Sequence, residues 1–600
     1  MESQFLENKK RNGVDAFLGY MLTCWILVFP LLVAAQELLP PGTPLIRQAG
    51  LLNMTYEDSL GEVRVAQEEK GTQLYFKTYQ QPPYIYNLSR RLPLEKTALK
   101  TGQLLLLSFR AKTVAASLET GEAKALWVLR QTDTHRESIQ KTVSIGSEWR
   151  TYYFPFEITQ DVNKEDLSLS IQFGYLPQEF VLTDVALTLC APEVKKEDLP
   201  KTRLTYPGEE EEAPWRQDAL RRIERNRKGA ISLQLVDEAG QGLADIPVKV
   251  KLLRHDFGWG AAVNARQLIE EPVHLEKVAQ AFNLIVFEND LKIKRWAKAA
   301  YAKSTLEAIA LLKQRDIAVK GHVLIWPGFQ YLLPKFQKLA DQPERIAELM
   351  QDHLTDILAA THGQIQSWDV VNEAYTNRDL QNATGSEEIL YNGFRYLHAQ
   401  EPEVLRFTNE FGIISKGGHD TRKQEWYYEY IQRIDAETGG LVDGIGVQCH
   451  MGSDLTPPVR VLELLDYYAQ LDKKISISEF TIDVDDPEVR YDYTRDFLIA
   501  AFSHPAVSEF LFWGYYEPTH PKAAIYDENW QPADMGLAFF SLVHHLWTTK
   551  IEGATDIGGR IQGRGFYGTY EYEYIHKGET VTGTFDLLPE QAAILQIKVP

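Results

Sequence analysis

Cysteine is scarce in this chain, whose 600 residues contain only Cys24, Cys190 and Cys449. Three cysteines so far apart cannot form a disulfide framework or a thiolate metal site. A His-Glu-x-x-His motif is also missing, as is a glycine-rich phosphate loop ahead of a helix. We therefore expect no metal and no other cofactor, and a stability that comes from apolar cores.

An excess of positive charge is missing as well. Lysine and arginine number 63 against 83 acidic residues, a formal net charge of −20. Binding to nucleic acid or to an anionic membrane needs a basic surface, so neither is expected as a general partner. The length is too great for a single core and predicts two to four domains.

The N-terminus has the pattern of a secretory signal peptide. Lys9, Lys10 and Arg11 precede an apolar run that extends from Ala16 to Ala35. A basic start, an apolar middle and small residues at the exit predict cleavage after Ala35 and a secreted or periplasmic protein. The alternative is an uncleaved membrane anchor, because about 20 apolar residues can span a bilayer.

Residues 36–190 show short strand-like runs separated by turn residues, which predict a β-sandwich of the jelly-roll kind. This segment resembles the carbohydrate-binding modules that precede many secreted glycosidases. Its aromatic residues have two possible roles, sugar stacking or, as large aromatics more often do, core packing. The four in question are Trp127, Trp149, Tyr152 and Tyr153.

Residues 191–229 read as a linker that ends in a helix, since Pro214 opens it and Gly229 follows it. The next two runs, 231–237 and 246–255, flank a glycine-containing turn and predict a hairpin. The alternating tail of residues 557–600 is expected to pair with residues 230–256 into one small β-layer. Tyr570, Tyr572 and Tyr574 share one strand face there, with packing favoured over sugar stacking as their role.

Residues 257–556 alternate apolar strand-like runs with helical stretches. Eight strand candidates can be counted, beginning with residues 257–263 and ending with 509–516. Eight βα units in about 300 residues predict a (β/α)₈ TIM barrel.

Polar residues follow these apolar runs at their carboxyl ends. A barrel gathers those ends on one face, so the residues should converge. They are Glu288, Asn289, His322, Asn372, Glu373, Asn409, Glu410, Gln448, His450 and Glu479. In the sixth run the two-residue period directs Gln448 and His450 inward, and leaves Cys449 as buried packing on the other side.

Six motifs occur in the following order along the chain: FENDLK (287–292), GHVLIW (321–326), WDVVNEAY (368–375), GIGVQCH (444–450), ISISEF (475–480) and FWGYYEP (512–518). Together they resemble the motif set of glycoside hydrolase family 10, the secreted β-1,4-xylanases, over about residues 257–550. The resemblance implies a retaining endo-β-1,4-xylanase that acts on xylan or a related β-glycan and needs no cofactor. A monomer is expected, with no membrane contact after signal cleavage.

The resemblance also implies roles for individual residues. Glu373 would be the acid/base and Glu479 the nucleophile, with carboxyl groups about 5 to 5.5 Å apart. His450 would hydrogen-bond the nucleophile, Asn372 would meet the sugar 2-hydroxyl, and Gln448 would support the acid/base. The family's donor-side contacts and aromatic platform fall on Glu288, Asn289, Lys292, His322, Trp326 and Trp513. Barrel packing is the alternative role for the two tryptophans.

The chain departs from the family's pattern at two positions. Pro327 stands where many members have a histidine, and the motif after the eighth strand ends at Pro521 where a second tryptophan is common. A lost aromatic contact should loosen sugar binding without removing the chemistry, since stacking adds about 0.5 to 1.5 kcal/mol. Three alternatives remain: a different β-glycan or an exo mode, a glycan-binding protein without catalysis, and net transglycosylation.

Overall fold

The structure is a computed structural model that describes residues 40–68, 71–117, 123–131, 139–146, 149–452, 454–484, 486–589 and 593–599. The predicted signal peptide, residues 1–35, lies outside these ranges. Within them, no helix combines the length and the apolar character that crossing a bilayer requires.

The N-terminal part is a β-sandwich. Its strands are β1 (Gly42–Pro44), β2 (Tyr56–Glu57), β3 (Gly61–Glu68), β4 (Gly71–Thr78), β5 (Ser89–Arg91), β6 (Leu104–Ala116), β7 (Ala123–Arg130), β8 (Ile139–Ile145), β9 (Arg150–Glu157), β10 (Ser168–Gln172) and β11 (Gln178–Cys190). One sheet has the order β2-β3-β4-β11-β6-β9 with β1 also paired to β11, and the other has the order β5-β10-β7-β8. Short 3₁₀ helices occur at Gln48–Met54, Ile85–Asn87 and Lys196–Asp198.

Aromatic side chains fill the space between the two sheets. Trp127 and Tyr152 are buried, and the ring of Phe109 lies 4.8 Å from that of Trp127 and 5.2 Å from that of Tyr152. Trp149 and Tyr153 are half-buried. Of the four aromatic residues considered for sugar stacking, Trp127 and Tyr152 are therefore core residues. This agrees with strand geometry, in which successive side chains point to opposite faces of the sheet.

The segment between sandwich and barrel packs tightly on the barrel. Its helix α1 (Pro214–Asn226) places Arg216 in a buried ion pair with Asp496, whose carboxylate also accepts a hydrogen bond from the hydroxyl of Tyr206 at 2.9 Å. The guanidinium of Arg227 donates to the main-chain oxygens of Phe502, His504 and Val507.

Two small sheets, rather than one β-layer, flank the barrel. Their strands are β12 (Lys228–Val236), β13 (Pro247–His255), β22 (Lys550–Ala554), β23 (Arg560–Phe566), β24 (Gly568–His576), β25 (Glu579–Leu587) and β26 (Ala593–Lys598). The first sheet has the order β23-β12-β26 and the second β22-β13-β24-β25. The predicted hairpin of β12 and β13 is therefore wrong, because the two strands separate into different sheets.

The tyrosines of β24 belong to the shared core of this region. Tyr570 and Tyr574 are fully buried and Tyr572 is half-buried against the same apolar cluster, which also contains Ile231 and Val250.

A closed barrel of eight parallel strands forms the centre. The strands are β14 (Gly258–Val263), β15 (Leu284–Phe287), β16 (Ala318–Ile325), β17 (Ser367–Asn372), β18 (Leu405–Glu410), β19 (Gly444–Met451), β20 (Lys474–Ile482) and β21 (Val507–Phe512), and β14 pairs with β21 to close the ring. Each predicted run overlaps one of these strands. The TIM-barrel prediction is confirmed.

Helices form the outer layer of the barrel. They are α2 (Ala265–Glu270), α3 (Pro272–Ala281), α4 (Ile293–Trp296), α5 (Ala299–Lys313), α6 (Pro334–Lys338), α7 (Pro343–Thr361), α8 (Asp379–Thr384), α9 (Glu388–Gln400), α10 (Thr421–Thr438), α11 (Pro458–Ala469), α12 (Pro487–Ser503) and α13 (Asp534–Phe539), the last continued by a π-helix at Phe540–Leu546. Short 3₁₀ turns occur at Phe329–Tyr331, Lys416–Gly418 and Pro521–Ala523. On β19, Ile445, Val447 and Cys449 are completely buried in the layer between strands and helices.

Candidate active site

Glu373 and Glu479 both lie at the mouth of the barrel. Glu373 follows the last residue of β17 with a left-handed φ of 54°, and its amide donates to the main-chain oxygen of Asn409 at 2.9 Å. Glu479 lies in β20 and is buried. A non-glycine residue with positive φ is uncommon and marks a position held by its surroundings.

The side-chain amide of Asn409 bonds to residues of both β17 and β20 at the mouth of the barrel. Asn409 Nδ2 donates to Glu479 Oε1 at 2.9 Å and to Asn372 Oδ1 at 3.0 Å, while Asn409 Oδ1 accepts from Ser478 Oγ at 2.6 Å. The side chain of Asn409 is thereby fully used. It fixes Glu479 relative to the end of β17.

Gln448 continues this network to the other glutamate. Its Nε2 donates to Glu373 Oε1 at 3.1 Å and to Asn372 Oδ1 at 3.2 Å, and Asn377 Nδ2 donates to Glu373 Oε2 at 3.3 Å. A chain of neutral amides therefore links the two carboxyl groups. No charged group contacts Glu373 directly within this network.

His450 contacts Glu479 from the opposite side. Its Nε2 lies 3.1 Å from Glu479 Oε2, and its Nδ1 lies 3.0 Å from Thr481 Oγ1. Carboxylate oxygens accept, so this contact is a hydrogen bond in the tautomer whose Nε2 carries the proton. Both carboxylate oxygens of Glu479 thus accept a hydrogen bond from a different strand.

The amide nitrogen of Asn372 is different from the other groups of the site. Asn372 is buried, yet its Nδ2 has no hydrogen-bond partner among the described residues. Buried donors are almost always paired, so this one is available to a hydroxyl group that enters the mouth.

The residues predicted for the donor side form a second connected group. The Lys292 Nζ lies 3.2 Å from Asn289 Oδ1 and 4.9 Å from the centre of the Trp326 ring. Burial lowers the pKa of Lys292, and the charges of Glu479, Glu288 and Glu373 act against this decrease. Lys292 is therefore near enough to all three carboxylates to interact electrostatically with each.

His322 holds the tryptophans of this group. Its ring meets Trp513 edge-on at 5.2 Å and Trp326 at 6.4 Å, and its Nδ1 donates to Asp369 Oδ2 at 2.9 Å. The carboxylate of Asp369 also forms an ion pair with the buried Lys320. Burial opposes the charged form of Asp369, but the Lys320 charge and the His322 hydrogen bond outweigh it and keep the pKa of Asp369 low.

Trp326 and Trp513 are each half-buried, so one part of each ring packs and another part faces the mouth. Trp326 stacks on Tyr331 with ring centres 3.6 Å apart.

Glu288 is contacted by His520, whose Nε2 lies 3.2 Å from Glu288 Oε2. This hydrogen bond is the main cause of the lowered pKa of Glu288.

The profile of glycosyl hydrolase family 10 matches residues 250–538, which cover the barrel strands and all the residues described above. These residues belong to glycosyl hydrolase family 10. Among curated proteins, the anti-sigma-I factor RsgI6 of Acetivibrio thermocellus is 27% identical over 370 residues, 59% of this chain and 46% of its own length. Endo-1,4-beta-xylanase 2 of Arabidopsis thaliana is 24% identical over 356 residues, 58% of this chain and 32% of its own length.

This chain thus spans less than half of the length of each of these two relatives. Among solved structures, xylanase 10B of Thermotoga petrophila RKU-1 in complex with xylobiose is 22% identical, with a TM-score of 0.43 over 48% of this chain and 94% of that one.

Several residues of the family 10 domain's site were not predicted to take part in it, among them Asn377, Thr481, Asp369 and His520. Asn409 was predicted to converge with the other strand-end residues, but no role was predicted for it. The position of Asn409 at a strand end was a usable signal, but its partners come from other strands. Asn377 and His520 lie in loops, where no periodicity indicates direction. Among the described residues, no group of three or more histidine, cysteine, aspartate or glutamate side chains is arranged to hold a metal ion.

Proposed function

We propose that this protein hydrolyses the β-1,4-linked backbone of xylan internally, with retention of configuration at the anomeric carbon. The observation that carries the proposal is the pair Glu373 and Glu479, joined through Asn409, Asn372 and Gln448. The family match and the xylanases among the relatives support the choice of substrate.

The contacts of the two glutamates suit different tasks. Glu479 is buried and accepts hydrogen bonds on both oxygens, from Asn409 and His450, which aim it as the nucleophile. Glu373 accepts from the amides of Gln448 and Asn377 and is only half-buried, so its proton can exchange with water. Two carboxyl groups in different environments are the arrangement that divides acid and nucleophile roles.

The reaction would proceed in two displacements. Glu479 attacks the anomeric carbon while Glu373 gives its proton to the departing glycosidic oxygen, so the C–O bond breaks and a glycosyl ester forms. Glu373 then takes a proton from water, which attacks the same carbon and releases Glu479. The free Nδ2 of Asn372 is positioned to donate to the sugar 2-hydroxyl, a contact that strengthens in the transition state.

The test uses Glu373→Gln and Glu479→Gln, with Glu307→Gln as a control on the exposed face of α5. We expect each active-site variant to lose about 10²- to 10⁴-fold or more in kcat on arabinoxylan, and the control to lose nothing. Proton NMR of the first product should show the β-anomer. An initial α-anomer would contradict retention, and a wild-type protein that yields no reducing ends from any xylan would refute the substrate.

Hydrolysis assays on arabinoxylan, glucuronoxylan and mixed-linkage glucan identify the polymer that the protein cleaves. Early products of intermediate length indicate internal cleavage, whereas a single short product from the start indicates an exo mode. Products longer than the substrate at high acceptor concentration would reveal transglycosylation.

We also propose that the protein is exported and that its mature form begins at Gln36. The support is the basic start at Lys9 to Arg11 and the apolar run that ends at Ala35. Expression with the native N-terminus in a secreting host, followed by N-terminal sequencing, tests this. A cell-bound protein with an intact N-terminus would indicate an anchor.

A further inference from the structure

A large groove lies where the β-sandwich meets the barrel, and its lining includes none of the residues of the candidate active site. Its volume is about 930 Å³. One wall is the outer face of the sheet β5-β10-β7-β8, and the other is formed by His419, Asp420 and Asp454. These three residues lie in the loops that follow β18 and β19, so the groove opens on the same end of the barrel as the candidate active site.

The sheet face that lines this groove is not needed for the sandwich core. Along β7, Ala125, Trp127 and Leu129 point into the core, which leaves the alternate side chains for the groove. Gln140 on β8 and Gln172 on β10 line the groove, and neither side-chain amide bonds to another described group. Unengaged carboxamides suit the hydroxyl groups of a sugar, because each offers donors and an acceptor.

Two tyrosines form an exposed aromatic platform at the rim. The rings of Tyr84 and Tyr86 are parallel within 5°, with centres 5.1 Å apart, and the residues are 55% and 58% exposed. Aromatic residues this exposed and mutually stacked present flat faces at little entropic cost to a ligand.

The loop that carries the platform is held in place. Tyr84 N donates to Asn87 Oδ1 at 3.0 Å, and Phe173 N donates to the main-chain oxygen of Leu88 at 2.9 Å. Gly174 allows the loop to approach closely, since a Cβ there would lie 2.6 Å from the main-chain oxygen of Ile85. A platform that is ordered before binding retains more of its contact energy.

A buried polar group marks the barrel end of the groove. His419 is 5% exposed, and neither of its ring nitrogens has a hydrogen-bond partner among the described residues. Burial lowers the pKa of His419 to about 3, so the neutral ring offers one donor and one acceptor. Its main-chain oxygen accepts from Gln81 Nε2 at 2.6 Å, which ties this loop to the sandwich.

The charges that line the groove are nearly balanced among the described residues. Arg91 and Arg130 line it together with Asp420 and Asp454, and Asp454 is paired with Lys124. One excess positive charge is too small a field to select a polyanion, so the groove fits a neutral polymer better.

We propose that this groove binds a neutral β-linked glycan, namely the acceptor-side continuation of the chain that the barrel cleaves. In a ring of eight strands, β18 and β19 lie opposite β14 and β15, and the predicted donor-side residues Glu288 and Lys292 follow β15. The identity of the polymer rests on the proposed xylanase function, whereas the binding of a neutral glycan by the groove does not.

The test compares three variants of the full chain: Tyr84→Ala/Tyr86→Ala, Tyr84→Phe/Tyr86→Phe, and Tyr75→Ala as a control on the outer face of the opposite sheet. Binding of xylohexaose is measured by calorimetry with Glu479→Gln added, so that the ligand stays intact. We expect the double alanine variant to bind at least 10-fold more weakly, and the phenylalanine and control variants to bind as the parent does.

Hydrolysis by the same variants with Glu479 restored separates this proposal from the proposed function. The double alanine change should lower the ratio of activity on polymeric arabinoxylan to activity on an aryl xylobioside about 3- to 10-fold. Unchanged xylohexaose binding in the double alanine variant would overturn the groove proposal. A wild-type protein that cleaves neither substrate would refute the xylanase function, while loss of glycan binding in the alanine variant would still support the groove.

Discussion

Asn409 uses every polar atom of its side chain. It donates to Glu479 and to Asn372 and accepts from Ser478, so it couples strands β17, β18 and β20 at the point where the chemistry is proposed. A residue that only packs would not need all of these bonds. We therefore regard it as a positioning residue for the nucleophile.

Replacing Asn409 with alanine should lower kcat on xylan about 10²-fold, because Glu479 loses a donor that aligns it. The unpaired hydroxyl of Ser478 should also reduce the free energy of unfolding by about 1 to 3 kcal/mol. Steady-state kinetics and urea unfolding measure the two effects. Asn382→Ala, at an exposed position of α8, is the control, and an Asn409 variant with unchanged kcat would contradict the positioning role.

The candidate site was partly predictable at the level of single residues. Glu373, Gln448, His450 and Glu479 are found from the rule that polar side chains at the carboxyl ends of barrel strands converge. The pairing of Gln448 with Glu373 does not follow from that rule, because it depends on side-chain torsions across the barrel. His520 was not predictable at all, since it reaches Glu288 from a loop 232 positions away along the chain.

Among the secondary-structure elements, β19 shows how a strand makes room for the site. A Cβ at Gly446 would lie 2.4 Å from Asn409 Oδ1 and 3.0 Å from the main-chain oxygen of Thr408. The missing side chain therefore permits the amide of Asn409 to lie across the neighbouring strand.

The variant Gly446→Ala should displace that amide and weaken its bond to Glu479. We expect a loss of kcat of about 10-fold or more, together with the cost of 1 to 3 kcal/mol that is typical of overpacking. The same change at Gly452, where a Cβ would meet nothing within 4 Å, is the matched control. Equal kcat for the two variants would show that the close approach at Gly446 has no role.

The fold was predictable where local pattern and pairing agree. All eight barrel strands were found because each is an apolar run followed by a helix. The turn at residues 238–242 also forms, with Gly240 N bonded to the main-chain oxygen of Asp237. The hairpin was wrong because β12 pairs instead with β26 in parallel, Leu233 opposite Leu595, and no local pattern reveals a partner more than 350 residues away.

At the scale of the whole molecule, the sandwich and the barrel are joined by a buried ion pair between Lys124 and Asp454. Both side chains are largely excluded from solvent. Removing one partner of such a pair leaves an uncompensated buried charge, whereas replacing both with apolar residues is often tolerated.

Asp454→Asn should therefore destabilise the contact by about 3 to 5 kcal/mol. We expect calorimetry to show the sandwich melting before the barrel, and proteases to cut between residues 191 and 213 sooner. The double variant Lys124→Met/Asp454→Leu should recover most of the loss. A single variant with a wild-type melting profile would show that the pair does not hold the two parts together.

Stability should also depend on pH through buried groups. Burial lowers the pKa of His255 and His353 to about 4 and that of His419 to about 3. Unfolding between about pH 4 and 6.5 therefore takes up three protons. Burial raises the pKa of Glu410 to about 7, so unfolding releases one proton there between about pH 4.5 and 7.

These four groups together give a net uptake of about two protons, and their contribution lowers the free energy of unfolding by about 3 kcal/mol per pH unit as pH decreases from 6 to 5. Urea unfolding at half-unit steps measures the slope. The variant His353→Gln should take up about one proton fewer on unfolding, so its slope should be shallower than that of the parent. A stability that stays level or rises on acidification would contradict the assignment of these histidines as neutral.

The parallel pairing of β12 with β26 has a consequence for biosynthesis. The ribosome makes β12 more than 350 residues before β26, so the central strand of that small sheet waits for a neighbour from much later in the chain. Ile231 and Leu233 on β12 are buried in the finished protein, and during translation they remain without one of their neighbours. A gene fragment limited to residues 250–538 omits both strands, and would encode a barrel whose supporting sheet can never assemble.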